Sequence, residues 1–171
     1  MSEATVKSLP PRDTVTETDT WDLSSLYEST EAWESDYNLA EETLEKYAAF
    51  QGRLGENVET LAELLSFDSE MEQLLERLGY YAFLRLTEDQ ANSDSQALEA
   101  RMQNLGARAA QAASWIRPEL LAIDADTMDS FQQAECLQHY QLQLERVLRY
   151  RPHTLGEKEE QLLAMQAEMA Q

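Results

Sequence analysis

Apolar positions along this chain recur at alternating steps of four and three, the spacing of one helical face. Ser29 and Thr30 are good capping types. After them Trp33, Tyr37, Ala40, Leu44 and Tyr47 mark such a face, with Glu31 in the first turn. Gly52 and Gly55 bracket the end of that helix, and a short helix carrying Leu61, Leu64 and Leu65 is expected after Asn57. Ser69-Glu70-Met71-Glu72 has the form of a capping box, in which hydroxyl and carboxylate each satisfy an unpaired backbone N–H. It predicts the start of a further helix bearing Met71, Leu74, Leu75, Leu78, Ala82 and Leu86. The middle of that helix, Leu78 to Leu84, is apolar all round, which predicts burial from more than one side. Asn92-Ser93-Asp94-Ser95 then breaks and recaps the chain.

The most regular stripe follows, Leu98, Met102, Leu105, Ala109, Ala112 and Ile116. Its second half, Gly106 to Ser114, is nearly all small, which lets a neighbouring helix approach closely. Arg117-Pro118 ends it, and Pro118 is suited to open a new helical turn through Glu119, Leu120 and Leu121. Asp124-Ala125-Asp126 is another cap. A helix over about 137–150 turns Leu137, Tyr140, Leu144, Val147 and Leu148 inward. Arg151-Pro152-His153 breaks it, and Thr154-Leu155-Gly156-Glu157 is a second capping box. The closing stretch, Leu162 to Gln171, stays apolar-periodic to the last residue without a cap or a Pro stop. This predicts that the chain is a piece of a longer one.

These signals predict an all-α fold of about six to seven helices in antiparallel hairpins, a bundle without a sheet. Residues 1–20 are polar and include Pro10-Pro11, so they are expected to be a flexible segment ahead of a helical domain over 21–171. Trp21 to Tyr27 place three large apolar groups in a non-periodic run, as in a segment pinned by its side chains. Scarce Gly (5) and Pro (4) in 171 residues agree with a helical reading.

The net charge is −20, and residues 1–70 hold 17 acids against 4 bases. Such a surface repels phosphate backbones and anionic membranes, so neither nucleic acid nor membrane is an expected partner. An acidic face would attract basic partners; the plainer reading is a solubilising surface. The lone Cys136 excludes an internal disulfide and fits a reducing compartment. Met1 to Lys7 lack an apolar signal core, so a cytoplasmic location is expected.

Chemistry is sparse. His139 is followed by Tyr140 and His153 by Thr154, so H-E-x-x-H, the helical zinc-peptidase motif, is absent. Cys136 and His139 lie three apart, but no further Cys or His pair completes a zinc set. The expected arrangement is a buried thiol beside a partly exposed imidazole. Glu41-Glu42, Glu88-Asp89 and Glu159-Glu160 read as solvated faces or first-turn acids. No nucleophile elbow, phosphate-cradling loop or dinucleotide fingerprint occurs. Arg146-Val147-Leu148-Arg149-Tyr150-Arg151 is the one local basic run, expected to pair within the chain with glutamates. Tyr80-Tyr81 and Trp115 suit a peptide groove or, more often, a core. No catalytic, cofactor-binding or metal-ligating residue is assigned.

Trp21-Asp22-Leu23-Ser24-Ser25-Leu26-Tyr27 followed by Trp33-Glu34 resembles the opening of oligoendopeptidase F proteins, zinc metallopeptidases related to thimet oligopeptidase; Arg12 upstream fits it too. Tyr81-Ala82-Phe83-Leu84 with the break near Asn92 is similar to the family's next hairpin. Trp115-Ile116-Arg117-Pro118-Glu119-Leu120 fits, as does Leu148 to Leu155 running into Glu159-Glu160. The resemblance implies the N-terminal helical region of a larger cytoplasmic zinc endopeptidase, walling a channel that admits short unfolded oligopeptides. In the parent, a zinc-bound water would attack the peptide carbonyl with a helix-borne glutamate as base. The zinc ligands would lie downstream, so this chain alone would bind no zinc and hydrolyse nothing. Its partners would be the missing catalytic domain and, through an exposed apolar face, a further copy of itself. The alternative is a stand-alone acidic helical interaction module docking through the small-residue stripe from Ala109 to Ala113.

Overall fold

A computed structural model describes residues 12–153, and over that span the fold is all-α as the periodicity predicts, with no strand among the described residues. Six α-helices occur there: α1 (Thr30–Thr43), α2 (Val58–Glu88), α3 (Ser93–Ala113), α4 (Ile116–Ala122), α5 (Ala125–Gln132) and α6 (Gln141–Leu148). Short 3-10 segments lie between α1 and α2 and between α5 and α6. The second capping box, from Thr154, and the helix expected beyond it lie outside the described residues. The described residues divide into two compact units, 12–49 with 66–113 and 50–65 with 114–153.

In the first unit, Ser29 caps α1 by accepting the Ala32 amide, and the whole expected stripe of Trp33, Tyr37, Ala40, Leu44 and Tyr47 is buried. The helix tightens into a 3-10 segment at Leu44–Ala49 without leaving that face. Asn92 caps α3, its side-chain oxygen accepting the Asp94 and Ser95 amides, and Leu98, Met102, Leu105 and Ala109 are buried. Side-chain bonds give the helix directions. Trp33 pairs with Leu78 and Thr30 with Arg85, so rising numbers on α1 meet falling numbers on α2. Glu34 pairs with Arg101 and Glu41 with Arg108, seven residues further on in each helix, so α1 and α3 run parallel. Residues 12–20 hold two 3-10 turns, Arg12–Thr14 and Glu17–Asp19. Glu88 ties this stretch down by pairing with Arg12 at 2.8 Å and accepting the Trp21 amide at 2.8 Å. Of the apolar run from Trp21, only Tyr27 is buried, and the Trp21 side chain is 56% exposed.

One expectation for α2 is corrected. The helix expected after Asn57 and the one expected from Ser69 are a single helix of 31 residues, capped by Asn57 through the Thr60 amide. Ser69 sits in its interior. With neither Gly nor Pro between Glu56 and Leu78, the strong formers around it continue the helix, and an interior Ser costs only about 0.5 kcal/mol. The all-round apolar middle meets α1 at Leu78 and α3 at Gly79, as expected of a stretch covered from more than one side, and a further side stays open. Leu78, Tyr81 and Ala82 are inside, whereas Tyr80 is 53% and Phe83 51% exposed.

In the second unit, Asp124 caps α5 by accepting the Thr127 amide at 2.9 Å, and Ile116, Leu120, Ile123, Met128, Leu137 and Leu144 are buried. The break after α3 falls at Ser114-Trp115. Pro118 therefore lies inside the first turn of α4, where its missing N–H had no intrahelical partner to lose. The helix expected over 137–150 is a 3-10 segment, Glu135–Tyr140, followed by α6.

Candidate functional site

The polar side chains that the fold gathers build clamps. In the first unit Trp33, fully buried, donates its indole N–H to the Leu78 carbonyl at 3.0 Å and stacks on Tyr37 with ring centroids 5.0 Å apart. The Arg101 guanidinium lies over both rings, 4.2 Å from Tyr37 and 5.1 Å from Trp33, and grips Glu34 through two bonds of 2.5 and 2.7 Å. That grip holds the Glu34 carboxyl below its usual value. Beside it the Tyr27 hydroxyl donates to Asp36 at 3.0 Å and accepts from Arg77 at 3.1 Å, while Arg77 also pairs with Asp36. Burial, then the Asp36 carboxylate, push the Tyr27 phenol up to about 12. Tyr47 donates to Asp68 at 2.7 Å, and burial raises its phenol as well. Glu72 is raised by partial burial and by Asp68 and Glu76, one turn away on either side of it along α2. The bonds of Trp33, Tyr27, Arg77 and Arg101 tie α1 and the segment before it to α2 and α3.

The second unit has its own clamp. Glu119 accepts the Gly52 and Leu54 amides, each at 2.8 Å, fixing a turn in which Gly52 has φ +81° and Leu54 is fully buried. Arg151 donates to the carbonyls of Leu120 and Ile123 at the end of α4, the negative end of that helix. Arg117 lies 4.6 Å from the Tyr150 ring centroid. Within the basic run, Arg151 thus engages carbonyls and Tyr150 receives the Arg117 guanidinium, and among the described residues no ion pair joins the run to a glutamate as expected.

The expected buried thiol is corrected: Cys136 is exposed, and so is His139, both on the 3-10 segment. Buried Leu137 claims the inward direction there, and the thiol turns to solvent. Among the described residues no three His, Cys, Asp or Glu are grouped to hold a metal, and no helix is long and apolar enough to cross a membrane. Tyr81 is core, whereas Tyr80 is on the surface and Trp115 is half-buried. Of the small stripe, Ala109 is buried, Ala110 exposed, and Ala112 and Ala113 half-buried. Glu41 and Glu88 are in ion pairs, whereas Glu159-Glu160 lie outside the described residues.

Open recesses are found among the described residues. One of about 380 Å³ is lined by Asp129, Gln132, Gln133, Gln141 and Glu145, on α5 and α6. Another, about 260 Å³ and mostly carbon-lined, lies on α2 between Glu76, Gly79, Tyr80 and Phe83. Sequence reasoning missed the second as a surface feature, although the apolar run from Leu78 to Leu84 is its signal.

Residues 119–171 match the family model described as Oligopeptidase F. Oligopeptidase PepF of Bacillus subtilis (strain 168) is 34% identical over 168 residues, 98% of this chain and 25% of that protein. An oligoendopeptidase F homolog of Borreliella burgdorferi is 29% identical over 90% of this chain and 26% of its own length. The chain thus spans about a quarter of the length of the curated relatives it matches. Among solved structures, a Chlamydophila abortus chain assigned to the peptidases superposes with a TM-score of 0.79 at 28% identity, covering 92% of this chain and 27% of that one. Oligoendopeptidase-F from Enterococcus faecium superposes at 0.68 with 26% identity, over 82% of this chain and 27% of that one. On sequence and on structure alike, the chain matches the N-terminal region of the oligoendopeptidase F family.

Proposed function

We propose that this chain is a non-catalytic helical wall region of a cytoplasmic zinc metalloendopeptidase that hydrolyses oligopeptides. The observation that carries the reading is alignment along 98% of the chain to a quarter of a protein named an oligopeptidase. The absence of H-E-x-x-H from all 171 residues supports the assignment of catalysis elsewhere. Among the described residues no three His, Cys, Asp or Glu side chains are grouped to hold a metal, where a catalytic zinc site needs three protein ligands. No step of the reaction is therefore built on this chain. Its contribution is rigidity: Trp33, Arg101 and Glu119 lock helices and a turn that a channel wall needs in fixed positions.

A fusion tests this directly. The matched N-terminal quarter of Bacillus subtilis oligopeptidase PepF is replaced by this chain, and cleavage of an internally quenched oligopeptide is followed. Cleavage by the fusion, with none by the isolated chain in added zinc, is the expected result. Stoichiometric zinc and turnover in the isolated chain would overturn it.

A further inference from the structure

We propose that Glu76, Gly79, Tyr80 and Phe83 form a socket for one apolar side chain of a further helix. That helix belongs to the part of a full-length oligoendopeptidase F-type chain lying outside these 171 residues; the inference rests on the functional reading above. The four residues are spaced i, i+3, i+4 and i+7 on α2, the four corners of the hole that receives a knob when helices pack side by side. Gly79 supplies no side chain, and a Cβ there would come to 3.9 Å from Met102, so the glycine lies where α2 meets α3. The recess of about 260 Å³ opens beside it, walled by the two aromatic rings. Tyr80 and Phe83 are half exposed at 53% and 51%, although their stretch of helix has the composition of one buried all round. Three quarters of each matched relative lies outside the aligned region, which is ample chain to supply the cover.

Charge narrows the occupant further. Glu76 sits on the rim, and no described ion pair uses it. The incoming helix therefore carries an apolar knob with a Lys or Arg one turn away. A second copy suits the socket poorly, because it would bring −20 against −20.

Hydroxyl-radical footprinting read by mass spectrometry tests the assignment. In the isolated chain Tyr80 and Phe83 are labelled; in the PepF fusion described above both are labelled about fivefold less, as burial of most of their surface requires. Equal labelling in the two proteins overturns the proposal. So does a concentration-dependent dimer of the isolated chain that protects the same residues, because the cover is then a second copy. Should the fusion be insoluble, intact Bacillus subtilis PepF is footprinted at the residues aligned with 76, 79, 80 and 83; exposure there also overturns it. Peptide cleavage by the fusion reports on the functional assignment separately. A protected but inactive fusion keeps the socket and removes that assignment.

Discussion

Glu119 holds Gly52: one carboxylate oxygen accepts the Gly52 amide at 2.8 Å while the other accepts that of Leu54, so a single side chain sets a turn 67 residues earlier in sequence. Glu119→Ala leaves both amides without their anionic acceptor and should cost about 1–3 kcal/mol. Amide exchange at Gly52 and Leu54 checks it, and both should accelerate in the variant. Gly52→Ala is a distinct test. A Cβ there meets nothing within 4 Å, so its cost, about 1–2 kcal/mol, comes from the backbone at φ +81° alone.

Arg101 should not be replaceable by lysine. Its planar group makes two parallel bonds to Glu34 and covers two aromatic rings, and an ammonium reproduces neither. Arg101→Lys is expected to lose about 1–2 kcal/mol in urea denaturation. Arg108→Lys, at a surface pair with Glu41, should lose less than about 0.5 kcal/mol. Equal losses would show that the rings contribute nothing.

Trp33→Phe keeps most of the buried ring volume and removes the donor to Leu78. A loss of about 1–2 kcal/mol is expected, against about 3–5 kcal/mol for Trp33→Ala, which also opens a cavity. Thermal unfolding of the three proteins side by side separates the hydrogen bond from the packing.

Alkaline pH should weaken the first unit through Tyr27. Its folded pKa is raised from 10.0 to about 12, so the phenol binds its proton more tightly in the folded state. The stability this contributes is fully present below pH 10 and is lost as pH rises through 12, about 2–3 kcal/mol at most. Tyr27→Phe should flatten that fall when stability is measured from pH 9 to 12.

Glu72 behaves in the opposite sense to a stabilising carboxylate. Burial and the charges of Asp68 and Glu76 raise its pKa, so its favourable protonated form is present in acid and is lost as pH rises through the folded value. At neutral pH the charge is a small liability. Glu72→Gln should stabilise the chain at pH 7 by about 0.5 kcal/mol and should gain nothing in acid.

The stripe from Trp33 to Tyr47 and that from Leu98 to Ala109 were legible because helical periodicity is a local property: steps of four and three place residues on one face whatever covers it. The caps at Ser29, Asn92 and Asp124 were legible for the same reason, each bonding within three residues of itself. The box at Ser69 shows the limit of local signals, because a cap sequence inside a run of strong helix formers is outcompeted by the helix on either side. Much of what resembles the family in motif also proves to be clamp. Glu119 holds a distant turn and Arg151 the end of α4, contacts no spacing rule contains.

Periodicity and capping thus carried the helices and their inward faces, since each depends on neighbours within a turn or two of chain. Partners across 67 residues, the outward turn of Cys136 and the half-bare rings of Tyr80 and Phe83 were decided by tertiary packing. Which surface a helix buries depends on what else arrives beside it, and hydrophobic attraction carries no address in the local sequence.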